Sequence, residues 1–164
     1  SLLYPHDGEL FLLFIRRTED GHAHSGQIRF PGGKQESSDA DLRATALREA
    51  QEEVGIMSSD VQLLGALTQL YIPVSNFQVF PFVGFTQQRP SYHINKHEVD
   101  EIIEVPLSRL FLPEHKVVTR IRPASRPGLV LRAPAYVPAE DQVIWGATAM
   151  ILSELEALLE GIRT

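Results

Sequence analysis

The chain has 164 residues, 43% of them hydrophobic and 22% charged, which is enough for one soluble domain with a buried core. It contains no cysteine, which excludes disulfides, thiolate metal sites and thiol nucleophiles. The formal net charge of −6 argues against a general nucleic-acid binder. No apolar run reaches the roughly 18 residues of a membrane span, and no secretory leader is visible, so we expect a cytoplasmic protein.

Apolar runs and turn residues divide the chain into strands of a single predicted domain, residues 1–164. The run Glu9–Arg17 predicts a buried strand after the Asp7-Gly8 turn, and residues 27–30 predict a short strand that stops at Pro31. Residues 18–25 are polar and predict a loop between the two. Further strands are predicted at 61–72 and 77–85 and, from weaker patterns, at 99–105, 115–121 and 129–131.

Two helices complete the predicted fold. The first spans residues 39–54, with N-cap oxygens available from residues 37–39 and Gly55 as its C-cap. Leu42, Ala46 and Ala50 form an apolar stripe that should be buried. The second helix spans residues 146–159. This order of elements predicts an α/β (α+β) fold with a mixed central sheet and helices on its faces.

The second half of the first predicted helix carries three carboxylates at helical spacing. Glu49, Glu52 and Glu53 project from adjacent turns on one side. Crowded carboxylates repel one another unless a cation lies among them, and their oxygen atoms suit Mg²⁺ or Mn²⁺. Such an ion could orient a diphosphate and activate a water that attacks phosphorus. The alternative is a solvent-exposed helix face with surface glutamates.

The residues around these carboxylates suggest supporting roles. Arg48 could hold a glutamate in position through a bidentate pair, and the Gly32-Gly33 pair would let the backbone approach the helix closely. Three cations flank the glycine turn and are candidates for binding an anionic substrate: Arg16, Arg29 and Lys34. The alternative for each arginine is an exposed position at a strand end.

Residues 48–56, Arg-Glu-Ala-Gln-Glu-Glu-Val-Gly-Ile, resemble the second half of the Nudix box at every specified position. One extra residue separates this half from Gly33, and the glutamate of the first half is absent. Asp39, Glu36 and Asp41 are the candidates for its role. The resemblance implies a Nudix-like α/β/α sandwich and metal-dependent hydrolysis of a diphosphate bond. It implies metal ligands at Glu49, Glu52 and Glu53, with Arg48, Glu52 and Glu53 taking part in catalysis.

A stretch before the box resembles one particular branch of the family. Residues 26–33 read Gly-Gln-Ile-Arg-Phe-Pro-Gly-Gly and resemble a motif of the coenzyme A pyrophosphatase branch, which Leu12-Leu13 and Arg16 also fit. Phe14 and His22 differ from that motif. The resemblance implies hydrolysis of coenzyme A or acyl-coenzyme A to (acyl-)phosphopantetheine and adenosine 3′,5′-bisphosphate. Two alternatives stay open: a Nudix hydrolase of NADH, ADP-ribose or a nucleoside triphosphate, and a non-catalytic nucleotide-sensing domain.

Other charged residues are candidates outside the box. Members of this family often supply a catalytic base or an extra metal ligand from the region of Glu98 and Glu101, of which Glu98 is preferred; the alternative is a charged strand edge. His22 and His24 could reach substrate phosphates, or they are plain surface residues. An exposed strand between residues 117 and 137 could pair with a second copy, so a homodimer is possible.

Overall fold

The computed structural model describes residues 1–19, 26–123, 126 and 128–163. These residues form eleven strands: β1 (Leu2–His6), β2 (Glu9–Arg17), β3 (Ile28–Arg29), β4 (Gln62–Ala66), β5 (Leu70–Ile72), β6 (Phe77–Val79), β7 (Phe82–Phe85), β8 (Val99–Pro106), β9 (Lys116–Ile121), β10 (Leu131–Ala139) and β11 (Gln142–Trp145). They also form three α-helices: α1 (Leu42–Val54), α2 (Leu107–Leu110) and α3 (Gly146–Arg163). Single 3-10 turns occur at Ser58–Asp60 and Pro113–His115.

Strand β2 is the centre of a six-stranded sheet. One edge of β2 pairs with β8 along most of its length, and the other edge pairs first with β1 and then with β3. Strand β1 continues the sheet through a parallel pair with β7, which pairs with β4. Because that single parallel pair stands among antiparallel ones, the sheet is mixed, as predicted.

The alternation of side chains along β2 explains why both faces of the sheet are covered. Residues 12–15 of β2 are all fully buried. Leu12 and Phe14 pack in one cluster with α3, whereas Leu13 and Ile15 pack in a second cluster with Val54 of α1. Successive side chains of a strand point to opposite faces, so α1 and α3 lie on opposite sides of the sheet. The predicted α/β/α sandwich is confirmed.

Helix α1 begins at Leu42, and the prediction that it begins at residue 39 was wrong. Asp41 is the N-cap, and its carboxylate accepts a hydrogen bond from the Ala44 N–H at 2.8 Å. Asp39 instead turns its carboxylate towards the middle of the helix. Gly55 ends the helix with φ 77°, as predicted.

The apolar stripe of α1 is only half-buried, contrary to the prediction. Within α1, the buried residues are Thr45, Glu53 and Val54. Ala46 and Ala50 line a small cavity between the helix and the sheet. The end of the helix that carries the carboxylates therefore packs more closely on the sheet than its apolar middle does.

Several elements differ from the sequence-based expectations. The predicted strands at 61–72 and 77–85 are each broken into two, and β5 and β6 pair separately as a hairpin. Strand β10 runs to Ala139 although Pro134 and Pro138 disfavour an inner strand. It joins β9 and β11 in a second, three-stranded sheet. Strands β1 and β11 and helix α2 were not predicted.

Strand β9 lies at the edge of the three-stranded sheet, and its Val118 is 60% exposed. Pairing of this region with a second copy stays a prediction, as does the interpretation of residues 1–164 as one domain. Among the described residues, none of the helices combines the length and apolar content that a membrane span requires.

Candidate metal and active site

Three carboxylates from two parts of the chain meet at the C-terminal end of α1. One oxygen atom from each of Glu49, Glu53 and Glu98 lies within 4.8 Å of the other two. Glu53 is buried, Glu49 is half-buried and Glu98 is exposed, so the cluster opens to solvent on the side of Glu98. We call these three residues the carboxylate cluster.

Glu53 lies at the bottom of the cluster and is 1% exposed. Its Oε1 accepts a hydrogen bond from Nη2 of Arg29, and its Oε2 accepts one from the Gly32 N–H at 3.0 Å. Burial raises the pKa of Glu53; Arg29 and the Gly32 N–H oppose that rise, and the charge of Glu98 adds to it. One arginine and one backbone N–H therefore fix both carboxylate oxygens in place.

Glu49 lies one helical turn before Glu53 and rests against the glycine turn. A Cβ atom added to Gly33 would be only 2.3 Å from Glu49 Oε1, so Gly33 leaves room for this carboxylate. The same oxygen accepts a hydrogen bond from Arg48 Nη1 at 3.2 Å. Burial, and then the charge of Glu53, raise the pKa of Glu49 above its ordinary value. A cation within the cluster would relieve this repulsion.

Glu98 reaches the cluster because its loop is bonded to the end of α1. The N–H groups of His93 and Asn95 donate to the carbonyl oxygens of Val54 and Glu53, both at 2.9 Å. The Asn95 carbonyl then accepts the N–H of Glu98 at 3.0 Å. The last carbonyl groups of a helix have no donors inside the helix, and here the loop provides two N–H donors.

Glu52 does not belong to the carboxylate cluster. Its side chain is 50% exposed, and its Oε2 accepts a hydrogen bond from Arg48 Nη1 at 3.0 Å. Arg48 thus contacts Glu49 and Glu52 together through Nη1. Its bidentate pair, however, is with Asp39 and not with a glutamate as predicted. The predicted ligand and catalytic roles of Glu52 stay predictions, and the geometry sets Glu52 apart from Glu49 and Glu53.

The predicted substrate-binding arginines are both occupied by carboxylates of the protein. Arg29 holds Glu53 and also donates to the Gly32 carbonyl at 2.8 Å. Arg16 donates to Glu101 Oε2 at 3.0 Å and to the Asp141 carbonyl at 3.1 Å. Glu101, the less favoured candidate for a base, is therefore paired with Arg16 outside the cluster.

Lys34 and the two histidines complete the set of predicted site residues. The Lys34 ammonium lies over the ring of Phe77, 4.8 Å from its centroid. His22 and His24 lie outside the described residues. The docking of His93 and Asn95 on the helix end was not predicted, since no local pattern marks that contact. The contact of Phe77 with Lys34 was not predicted either.

The donor set of the cluster fits a hard divalent cation. Its three members offer carboxylate oxygens, which Mg²⁺ and Mn²⁺ prefer over nitrogen or sulfur ligands. The oxygens converge although their charges repel one another, and the exposed side leaves space for substrate. The three carboxylates thus form a candidate site for a divalent metal ion.

Comparison with known proteins identifies the family of this chain. The family model of the NUDIX domain matches residues 1–128. A relative from Pectobacterium atrosepticum, described as the uncharacterized Nudix hydrolase NudL, is 41% identical over 145 residues, which cover 88% of this chain and 72% of the relative. The chain belongs to the Nudix hydrolases, and it is a diphosphohydrolase that cleaves diphosphate bonds.

Solved structures show the same fold at low sequence identity. The Caenorhabditis elegans Ap4A hydrolase in a binary complex has a TM-score of 0.56 and 15% identity, covering 65% of this chain and 76% of that chain. A MutT/nudix family protein from Enterococcus faecalis has a TM-score of 0.60 and 15% identity, covering 97% of this chain and 60% of that chain. These likenesses concern the fold alone.

Proposed function

We propose that the carboxylate cluster holds Mg²⁺ or Mn²⁺ and that the protein hydrolyses the diphosphate bond of coenzyme A or acyl-coenzyme A. The observation that carries the metal site is the convergence of Glu49, Glu53 and Glu98 within 4.8 Å. Support for the substrate comes from the resemblance of residues 26–33 to the coenzyme A pyrophosphatase motif. A cytoplasmic location is part of the same proposal.

The residues of the cluster have different tasks in this proposal. A bound divalent cation supplies charge neutralisation of the diphosphate and activation of water. Glu49 and Glu53 are its ligands, fixed by the glycine turn and by Arg29. Glu98 is exposed and lies on the loop side, where a carboxylate oxygen can accept the proton of the attacking water. Water attacks phosphorus, the bridging P–O bond breaks, and the leaving phosphate takes the electron pair.

Arg48, Gly32 and Gly33 act on the ligands in this proposal. Arg48 binds Glu49 and Glu52, the Gly32 N–H binds Glu53, and Gly33 leaves space for Glu49. These contacts orient carboxylates before substrate binds, which lowers the cost of assembling the site. Lys34 binds the substrate anion directly, whereas Arg16 supports the loop side through Glu101.

The test is a substrate panel with matched variants. Purified protein is incubated with Mg²⁺ or Mn²⁺ and coenzyme A, acetyl-coenzyme A, NADH, ADP-ribose or a nucleoside triphosphate, and products are identified by mass. Glu98→Gln removes one carboxylate from the cluster, and Glu114→Gln is its control because it makes the same change at an exposed carboxylate elsewhere. Glu49→Gln and Glu52→Gln, compared by metal titration, test whether Glu52 is also a ligand.

Each outcome supports or contradicts a part of the proposal. Phosphopantetheine release that is lost in Glu98→Gln and kept in Glu114→Gln supports both the site and the substrate. Preferred cleavage of NADH, ADP-ribose or a nucleoside triphosphate contradicts the coenzyme A assignment and keeps the cluster chemistry. Metal affinity in Glu52→Gln equal to that of the unaltered protein removes Glu52 from the ligand set. Metal binding without any cleavage favours a nucleotide-sensing domain.

A further inference from the structure

Lys34 differs from the other cations near the carboxylate cluster. Arg16, Arg29 and Arg48 each form an ion pair with a carboxylate of the protein. No described residue forms an ion pair with Lys34, whose ammonium instead lies over the Phe77 ring. An aromatic ring attracts a cation without cancelling its charge, so the ammonium remains available to an anion.

Both ends of the Lys34 residue are fixed. At the main chain, its carbonyl accepts a hydrogen bond from Arg48 Nη2 at 2.9 Å, and the preceding Gly33 rests against Glu49. At the side-chain end, the Phe77 ring supports the ammonium. A lysine side chain is flexible and loses much rotamer freedom when it binds an anion. Support from the ring reduces that loss because it already restricts the position of the ammonium.

Phe77 is placed by the β5–β6 hairpin. Phe77 pairs with Ile72, and two residues farther along the hairpin Leu70 pairs with Val79. Leu70 and Val79 pack on the main core, which anchors the hairpin. Phe77 itself is 41% exposed, so one part of its ring is open to solvent.

We propose that Phe77 is a positioning residue whose ring holds the Lys34 ammonium beside the carboxylate cluster, where it binds phosphate oxygens of the substrate. This inference rests on the proposed function, since it assigns the partner of the substrate's negative charge at the same site. A carboxylate in place of the ring would compete with phosphate for the ammonium. The ring leaves the positive charge unneutralised until substrate arrives.

Kinetics of a double-mutant cycle test the inference. Removing a cation–π contact at an exposed site is expected to raise KM about two- to five-fold, so Phe77→Leu should do so with kcat little changed. Phe77→Trp, which keeps an aromatic face, should restore KM. In the Lys34→Gln background, Phe77→Leu should have no further effect, because there is no ammonium left to position. Val74→Ala, which shortens another exposed apolar side chain of the hairpin, is the control.

A second readout does not depend on activity. In the metal-free protein, ring current from Phe77 should shift the NMR signals of the Lys34 ε-methylene protons upfield. The shift should disappear in Phe77→Leu and persist in Phe77→Trp and Val74→Ala. If the unaltered protein cleaves its substrate but Phe77→Leu raises KM equally with and without Lys34, the inference is overturned and the proposed function stands. If no diphosphate is cleaved at all, the proposed function itself fails.

Discussion

Arg48 and Asp39 are joined by two parallel hydrogen bonds, from Nε to Oδ1 at 2.8 Å and from Nη2 to Oδ2 at 3.0 Å. The Asp39 carboxylate also accepts the Thr45 hydroxyl at 2.9 Å and the Glu36 N–H at 2.9 Å. It therefore ties the loop before α1 to the arginine that holds Glu49. Of the three candidates for the role of the absent box glutamate, Asp39 is the one that contacts Arg48 closely.

Asp39→Asn should weaken metal binding without unfolding the protein. Hydrogen bonds from Arg48 lower the pKa of Asp39 far below its ordinary value, so the aspartate is charged at neutral pH and the amide loses that pairing. We expect metal affinity and kcat/KM to fall about 10- to 100-fold, as is typical for residues that orient ligands. Asp41→Asn is the control because asparagine keeps the N-cap. Equal losses in both variants would contradict a special role for Asp39.

Gly33→Ala should displace Glu49. The new Cβ would lie 2.3 Å from Glu49 Oε1, and the carboxylate can move away because it ends a flexible side chain. We expect a near-normal melting temperature and a loss of metal affinity of about 10-fold or more, measured by calorimetric titration with Mn²⁺. Gly65→Ala, where an added Cβ meets nothing within 4 Å, should bind metal normally. Unaltered affinity in Gly33→Ala would show that Glu49 is not a ligand.

Gly55→Ala should destabilise the protein by more than its backbone conformation alone requires. Gly55 has φ +77°, and an added Cβ would lie 2.7 Å from His93 Cβ and 2.9 Å from the His93 nitrogen. The left-handed conformation costs about 1–2 kcal/mol, and the contact with the His93 backbone adds to it. Gly8 has φ +79°, and an added Cβ there would meet nothing within 4 Å. Gly8→Ala should therefore lose only the free energy of the left-handed conformation. The free energy of unfolding is measured by urea titration. Equal decreases in Gly55→Ala and Gly8→Ala would exclude a contribution from the contact with His93.

Glu49→Gln should stabilise the metal-free protein near neutral pH. Burial and the charge of Glu53 raise the pKa of Glu49, so the folded state binds more protons than the unfolded state just above the ordinary carboxyl pKa of 4.5. The free energy of unfolding then falls as the pH rises through this window. The variant avoids that loss, so its melting temperature should exceed that of the unaltered protein at pH 7 and the advantage should vanish below pH 4.5.

The same variant should lose the stabilisation that metal provides. Mg²⁺ binds the folded cluster in preference to the unfolded chain, so it should raise the melting temperature of the unaltered protein. In Glu49→Gln this rise should be much smaller. Glu114→Gln, which removes an exposed carboxylate elsewhere, is the control for both measurements. A melting temperature of Glu49→Gln below that of the unaltered protein at neutral pH would contradict the argument.

Local patterns predicted the parts of the fold that local physics determines. The buried strand β2 follows from its apolar run, and the end of α1 follows from Gly55. The start of α1 was misplaced because three successive residues, at positions 37–39, offered cap oxygens, while the capping residue was Asp41. Arg48 binds the Asp39 carboxylate, and Asp41 caps the helix instead. Sequence spacing does not reveal this competition between Arg48 and the helix end for Asp39.

The site was predicted where its residues share one helix and was incomplete where they do not. Glu49 and Glu53 follow from helical spacing, whereas Glu98 joins them through hydrogen bonds between residues far apart in the chain. Helical spacing also placed Glu52 with them, since it cannot distinguish a carboxylate that points to the cluster from one that points to Arg48. Arg29 was predicted to meet substrate because its bond to Glu53 leaves no mark in the sequence.

The main-chain bonds between the end of α1 and residues 93–98 have an evolutionary consequence. Glu53 gives its carboxylate to the cluster and its carbonyl to Asn95, whose own carbonyl holds the N–H of Glu98. Two main-chain hydrogen bonds therefore fix the separation of Glu53 and Glu98. The number of residues between α1 and this loop does not determine that separation. Insertions between Phe85 and Tyr92 should therefore leave the spacing of Glu53 and Glu98 unchanged.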